Sequence, residues 1–218
     1  MLVAEEWVRW SWIADHSDRI WAATRQHVEL TVLAVAIGLA ISLPLGIAAS
    51  RWRPMLPPTL WVTGVLYTIP SLALFVLLIP WTGLSRTTAE IGLVSYTLLI
   101  LVRNVVAGLD AVPTEIKESA TAMGYRPLGR LLRVELPLAV PAVVAGIRIA
   151  TVTTIGLVTI TALIGQGGLG QLILDGLQRS FRTPMVVGAG LSVGLAVVAD
   201  VVLLSVQRLA TPWARAVR

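Results

Sequence analysis

Few side chains in this 218-residue sequence are of the types that perform covalent chemistry. There is no cysteine, which excludes disulfide frameworks, thiolate metal sites and cysteine nucleophiles. His16 and His27 are the only histidines, and two imidazoles near the N-terminus do not make a conventional zinc cluster by themselves. Gly165-Gln166-Gly167-Gly168-Leu169-Gly170 satisfies the G-x-G-x-x-G fingerprint of dinucleotide sites. That pattern carries meaning only between a strand and a helix of a βαβ unit. Here it follows a long apolar segment, so close backbone packing, or a flexible loop near a docking protein, is the expected role. No G-x-x-x-x-G-K-[ST] phosphate loop occurs, so the chain is expected to have no ATPase site and no cofactor of its own.

The polar groups that stand out do so because their surroundings are apolar. Arg148 and Asp200 interrupt long hydrophobic runs; a charge at mid-membrane costs about 2.5–3.5 kcal/mol on insertion scales and needs a partner or a role. Both stand nearer the expected cytoplasmic end, where snorkelling relieves much of that cost. Arg148 is expected to pair with Asp200 or Asn104, with a gating role as the sharper alternative. Thr151, Thr154 and Thr161 share one helical stripe. Their hydroxyls are suited either to lining a polar passage or to bonding helix backbone. Thr68 and Ser71, beside Pro70, are comparable pathway candidates, because a proline frees backbone carbonyls at membrane depth.

The elements that position these groups follow from composition. Apolar residues make up 56% and charged ones 13%, with a mean hydropathy of +0.82; soluble domains carry about 25% charged residues. Residues 30–50, 54–85 and 149–174 are uncharged runs of 21, 32 and 26, and roughly 20 apolar residues of helix cross a bilayer. The sequence therefore predicts an all-α integral membrane protein with about five spans. These cover roughly Val28–Ser50, Pro57–Trp81 with a kink at Pro70, Thr88–Leu109, Leu136–Ile164 and Pro184–Gln207. A glycine-rich loop fills 165–183. Residues 1–27 form a tryptophan-rich N-terminal segment containing Trp7, Trp10, Trp12 and Trp21. It is expected to lie as a short helix in the membrane interface, a cation-binding aromatic cage being the alternative. Residues 28–207 form the membrane domain and 208–218 a tail. No cleavable signal peptide is evident, because Glu5, Glu6, Asp15 and Asp18 interrupt any apolar core.

Charge sets the orientation. The net charge of +5 would suit a nucleic-acid partner in a soluble protein, but in a membrane chain it marks the cytoplasmic loops. With the N-terminus outside, eleven of the seventeen basic residues fall on the cytoplasmic side. That arrangement puts 110–135 in the cytoplasm, and no nucleic-acid partner is expected.

Residues 110–137 read DAVPTEIKESATAMGYRPLGRLLRVELP. Pro113 suits the first position of a helix and Glu115 complements its dipole. Gly124 is placed to end it, and a second short helix begins near Pro127. The predicted product is a helix–turn–helix between two spans; a merely solvated amphipathic loop is the plain alternative. Glu118-Ser119-Ala120, Gly124 six residues after Glu118, and Val134-x-Leu136-Pro137 resemble the signature of ABC importer permeases. The second position of the triplet is usually Ala and is Ser119 here. Tyr67 to Leu74, Arg103-Asn104, Gly146-Ile147-Arg148 to Gly156, and Ile164 to Gly170 are similar to the osmoprotectant branch.

This resemblance implies a MetI-like permease fold in a prokaryotic cytoplasmic membrane. The hairpin at 110–135 would be a coupling helix that meets a cytoplasmic ATPase through Glu118, Ser119, Ala120, Gly124, Val134, Leu136 and Pro137. Thr68, Pro70, Ser71, Asn104, Arg148, Thr151 and Thr154 would be the pathway or gate candidates. ATP and Mg would be bound by the partner ATPase. An extracytoplasmic substrate-binding protein, a second permease chain and the lipid bilayer would complete the set of partners. The solute would be a quaternary ammonium compound such as glycine betaine, choline, carnitine or proline betaine. Rival readings are a permease for another solute such as an amino acid, an ion-driven carrier, and a non-transporting scaffold.

Overall fold

The computed structural model describes residues 8–211; Trp7, Glu5, Glu6 and the tail residues from 212, including Arg215 and Arg218, lie outside them. The described residues form ten α-helices and no strand: α1 (Trp10–Asp15), α2 (Ser17–Arg51), α3 (Leu56–Thr68), α4 (Ser71–Thr82), α5 (Arg86–Asp110), α6 (Thr114–Ala122), α7 (Pro127–Arg130), α8 (Leu136–Ile160), α9 (Leu169–Gln178) and α10 (Arg182–Ala210). Four helical stretches are long and apolar enough to cross a membrane, and a fifth span arises if α3 and α4 are taken together.

Three differences from the sequence reading have simple causes. The first membrane helix begins at Ser17 rather than Val28, because the polar residues ahead of the apolar run are good helix formers and nothing there stops propagation. The second span does not kink at Pro70 but breaks: Ile69 is non-helical and Pro70 adopts extended backbone (φ −56°, ψ 133°) as the N-cap of α4. Proline disfavours helical geometry in the residue before it, and the bond it cannot donate is lost. By contrast Pro44, Pro80 and Pro141 stay inside helices. Third, the loop predicted over 165–183 contains α9, whose apolar residues face inward at Leu169 and Leu172.

The described residues divide into two compact units: residues 8–34, 69–93 and 151–198 form one, and residues 35–68, 94–150 and 199–211 the other. In the first unit Phe75 is fully buried and lies so close to Gly92 that a Cβ there would be 2.4 Å from its ring. His27, fully buried, uses its Nε2 against the Ile155 carbonyl at 3.0 Å. Trp12 stacks on His16 at 4.4 Å and meets Phe181 edge-on at 5.8 Å, and the Arg9 guanidinium sits over the Phe181 ring at 5.3 Å. Those ring faces are therefore taken by the chain's own groups rather than left as a cation cage. Trp10 and Trp21 are 76% and 69% exposed, and Trp21 lies within α2 rather than in a separate short helix.

In the second unit, Val105, Leu109, Leu131 and Ala139 form one apolar cluster, backed by Leu43, Ile47, Leu136 and Val143. Ala49, Val102 and Val106 form another with Leu45, Leu56 and Leu60. Together they hold the ends of α2, α5 and α8 beside the α6–α7 hairpin.

Candidate functional site

The hairpin is built by strong local signals. Pro113 is the extended N-cap of α6, and Glu115 lies in its first turn, where a carboxylate complements the exposed N–H groups. The helix ends in a Schellman motif: the Tyr125 N–H donates to the Ala120 carbonyl at 3.1 Å and the Gly124 N–H to Thr121 at 2.9 Å. Gly124 takes φ +83° with open space where a Cβ would stand. Its requirement is conformational, not steric. Gly124→Ala is expected to destabilise the hairpin by about 1 kcal/mol, read as faster amide hydrogen exchange over 118–126 with the spans unaffected.

The hairpin's face divides by burial. Ala120, 1% exposed, is the inward anchor, while Glu118 and Ser119 are exposed. Ser119 donates to the Glu115 carbonyl of its own helix at 2.7 Å, so a hydroxyl in place of alanine leaves no unsatisfied group. Lys117 Nζ donates to the Leu109 carbonyl at 3.1 Å, fastening α6 to the end of α5. Beyond the turn, Met123 (71% exposed), Leu128 and Leu132 remain uncovered. With Tyr125, Arg126 and Arg133 they line an open groove. An apolar patch beside arginines, on a segment so firmly anchored, is the composition of a docking surface.

The second arm differs from expectation. Instead of a separate helix followed by a span, α7 passes through a π-helical turn, Leu131–Glu135, directly into α8. Pro137 has no N–H for the carbonyl four residues back, and its ring crowds that carbonyl; a wider turn just ahead relieves both. Val134 lies in the π turn, and Leu136 packs into the Val105–Leu109 cluster.

Glu135, the unspecified residue between Val134 and Leu136, is 3% exposed. Its Oε1 accepts from Arg51 Nη2 at 2.9 Å and from Arg130 Nε at 2.8 Å. Arg130 Nη1 also donates to Thr121 Oγ1 at 2.8 Å. Nearby, Arg53 grips Asp110 with two bonds of 3.0 and 2.9 Å. The sequence pattern suggests that Arg130, like Arg126 and Arg133, faces water or a partner; instead it is turned inward onto Glu135 and Thr121. For Glu135 the available signal was that it is the only acid between Glu118 and Asp175.

A family model described as the binding-protein-dependent transport system inner membrane component matches residues 42–211. The chain belongs to that family. Among relatives of this inner membrane component is the osmoprotectant import permease protein OsmW of Salmonella typhimurium, 36% identical, with 92% of this chain and 96% of OsmW covered. Another is the choline transport system permease protein OpuBB of Bacillus subtilis, 34% identical over 87% of each chain. A chain from an inward-facing structure of the MetNI methionine ABC transporter superposes with a TM-score of 0.76. It covers 88% of this chain and 97% of its own at 24% identity, which establishes the MetI-like fold.

The intramembrane candidates of this inner membrane component separate once side chains are placed. Arg148 meets Asp200 with two bonds, Nε to Oδ1 at 2.9 Å and Nη2 to Oδ2 at 3.0 Å. The Asn104 alternative does not form: its amide donates to the Ile100 carbonyl at 2.8 Å. Asn104 instead packs on Gly146, where a Cβ would stand 2.5 Å from the Asn104 Cβ. Thr154 and Thr161 are buried, and the Thr161 hydroxyl donates to the Val158 carbonyl at 2.7 Å. Thr151 is half-buried on α8. Thr68 ends α3 with its hydroxyl on the Val65 carbonyl at 2.8 Å, and Pro70 and Ser71 open α4.

The glycine-rich segment behaves as packing. A Cβ at Gly170 would lie 2.3 Å from the Thr159 carbonyl oxygen, and one at Gly168 2.8 Å from the His27 backbone. Backbone N–H groups here close the turn, with the Gln166 N–H on Thr161 at 3.0 Å, rather than opening towards a phosphate.

Proposed function

We propose that this chain is the membrane-spanning subunit of an ATP-driven importer for quaternary-ammonium osmoprotectants, with glycine betaine, choline and carnitine as the candidate solutes. The observation that carries the reading is the nearly end-to-end likeness to a permease named for osmoprotectant import, at 92% and 96% coverage. The exposed face of α6 and the apolar, arginine-flanked groove beside it support a cytoplasmic ATPase as the hairpin's partner. Glu118 and Ser119 face outward for that contact, Ala120 and Leu136 hold the hairpin to the spans, and Gly124 shapes the turn. ATP and Mg belong to the ATPase. A solute receptor outside the membrane delivers the cargo, and a second permease chain completes the pathway, since five spans enclose little. The excess of Arg and Lys in and beside 110–135 favours an outside N-terminus and a cytoplasmic C-terminus.

In this scheme, closure of the ATPases on ATP moves α6. The spans respond by shifting between inward-open and outward-open states, in proportion to the differential affinity of ATP for the two arrangements. Proteoliposomes containing the chain, its ATPase and its receptor are expected to accumulate labelled glycine betaine only with ATP. Uptake that survives ATP removal, or that collapses with the membrane potential while ATP is maintained, contradicts the reading. Glu118→Lys is expected to cut uptake by about 100-fold while membrane insertion stays normal; unchanged uptake would remove the hairpin from the mechanism.

A further inference from the structure

Glu135 joins three elements through one carboxylate. Arg51 comes from the last turn of α2, Arg130 from α7, and Glu135 itself stands at the end of the π turn that leads into α8. Arg130 extends the chain of bonds to Thr121 on α6. A displacement of α6 therefore reaches the membrane helices through four side chains linked at 2.8–2.9 Å.

We propose that Glu135 is the positioning residue that transmits motion of α6 to α2 and α8, with Arg130 and Arg51 as its two linkages; this rests on the importer reading above. Three physical points support the assignment. Arg51 and Arg130 each hold Glu135 Oε1 through one short charge-assisted bond; such bonds are directional, so they carry pull, which non-directional apolar contacts do not. A buried ionic cluster contributes little net stability compared with an apolar replacement, so its presence at 3% exposure is better accounted for by register than by folding energy. The π turn supplies the compliance: a helix can exchange the wide turn for an α turn by shifting its hydrogen bonds, and Glu135 sits where that exchange would redirect α8.

The test uses the complete transporter in proteoliposomes and records solute imported per ATP hydrolysed. Glu135→Gln keeps the shape but removes the charge. It is expected to leave receptor-dependent hydrolysis within about twofold while solute per ATP falls about tenfold, a coupling loss in the usual range. Arg51→Lys keeps a cation but replaces the fixed planar Nη2 donor by a mobile ammonium, and a fall of about threefold is expected. If Glu135→Gln fails to assemble, Arg51→Lys and Thr121→Val decide the matter on the same ratio. A ratio unchanged in the assembled variants, whether both rates fall together or neither does, overturns the proposal. Wild-type vesicles without ATP-dependent uptake would instead overturn the importer reading.

Discussion

Asp200→Leu is expected to destabilise the protein by about 3 kcal/mol, because it strands the Arg148 guanidinium in the apolar part of the chain without its carboxylate. Arg148→Leu is expected to cost a similar amount by stranding Asp200. Gln207 offers only a 3.5 Å contact to Arg148 Nη1, too long to replace a pair bonded at 2.9 and 3.0 Å. The double variant, with both charges gone, is expected to regain most of the loss, since an apolar pair of similar volume avoids the desolvation cost. Thermal unfolding in detergent micelles measures the cycle. At about 3 kcal/mol, each single variant should drop by roughly 6–12 °C for a chain of this size, with the double variant within a few degrees of wild type. If the double variant is stable but imports poorly, the pair acts in gating and not only in folding. Additive losses would show that the two groups do not interact.

Gly170→Val is the second large expected effect. The atoms that an added Cβ would meet are the carbonyl oxygen, Cα and carbonyl carbon of Thr159, at 2.3, 2.6 and 2.8 Å. All three are backbone of a membrane helix, so nothing flexible can give way, and α9 must lift from α8. The cost is expected at about 3 kcal/mol or more, read as loss of the folded peak in size-exclusion chromatography at temperatures the wild type survives. Gly190 is the contrast: a Cβ there meets no atom of the chain within 4 Å, and Gly190→Ala is expected to change stability by at most about 1 kcal/mol. A Gly170→Val protein as stable as wild type would remove the packing account of the glycine-rich segment.

Local signals made several parts of the hairpin legible in advance. Pro113, Glu115 and Gly124 each act within one turn of their own backbone, so the helix over 114–122 and its abrupt end follow from residue type alone. Val134, Leu136 and Pro137 stood out only through the resemblance to ABC importer permeases, not through local backbone chemistry. The π turn was not legible, because whether a proline kinks, breaks or widens a helix depends on what surrounds it. Pro70 breaks the chain, Pro44 does not, and Pro137 follows a wide turn. Glu135 was overlooked because its partners lie 84 and 5 residues away, and only the closing of α2 against α7 and α8 gives its charge a purpose.

What the amino-acid order determined by itself was membrane residence, the approximate number of crossings and the place of the polar hairpin. Those depend on transfer of apolar segments from water and on short-range backbone chemistry, both additive along a chain. Tertiary structure alone decided that Arg148 pairs with Asp200 and not Asn104, that Gly167, Gly168 and Gly170 lie against the Ala162, His27 and Thr159 backbone, and that one buried carboxylate joins α2, α7 and α8. Each of those outcomes turns on which distant group arrives within about 3 Å, a distance that no spacing within the sequence encodes.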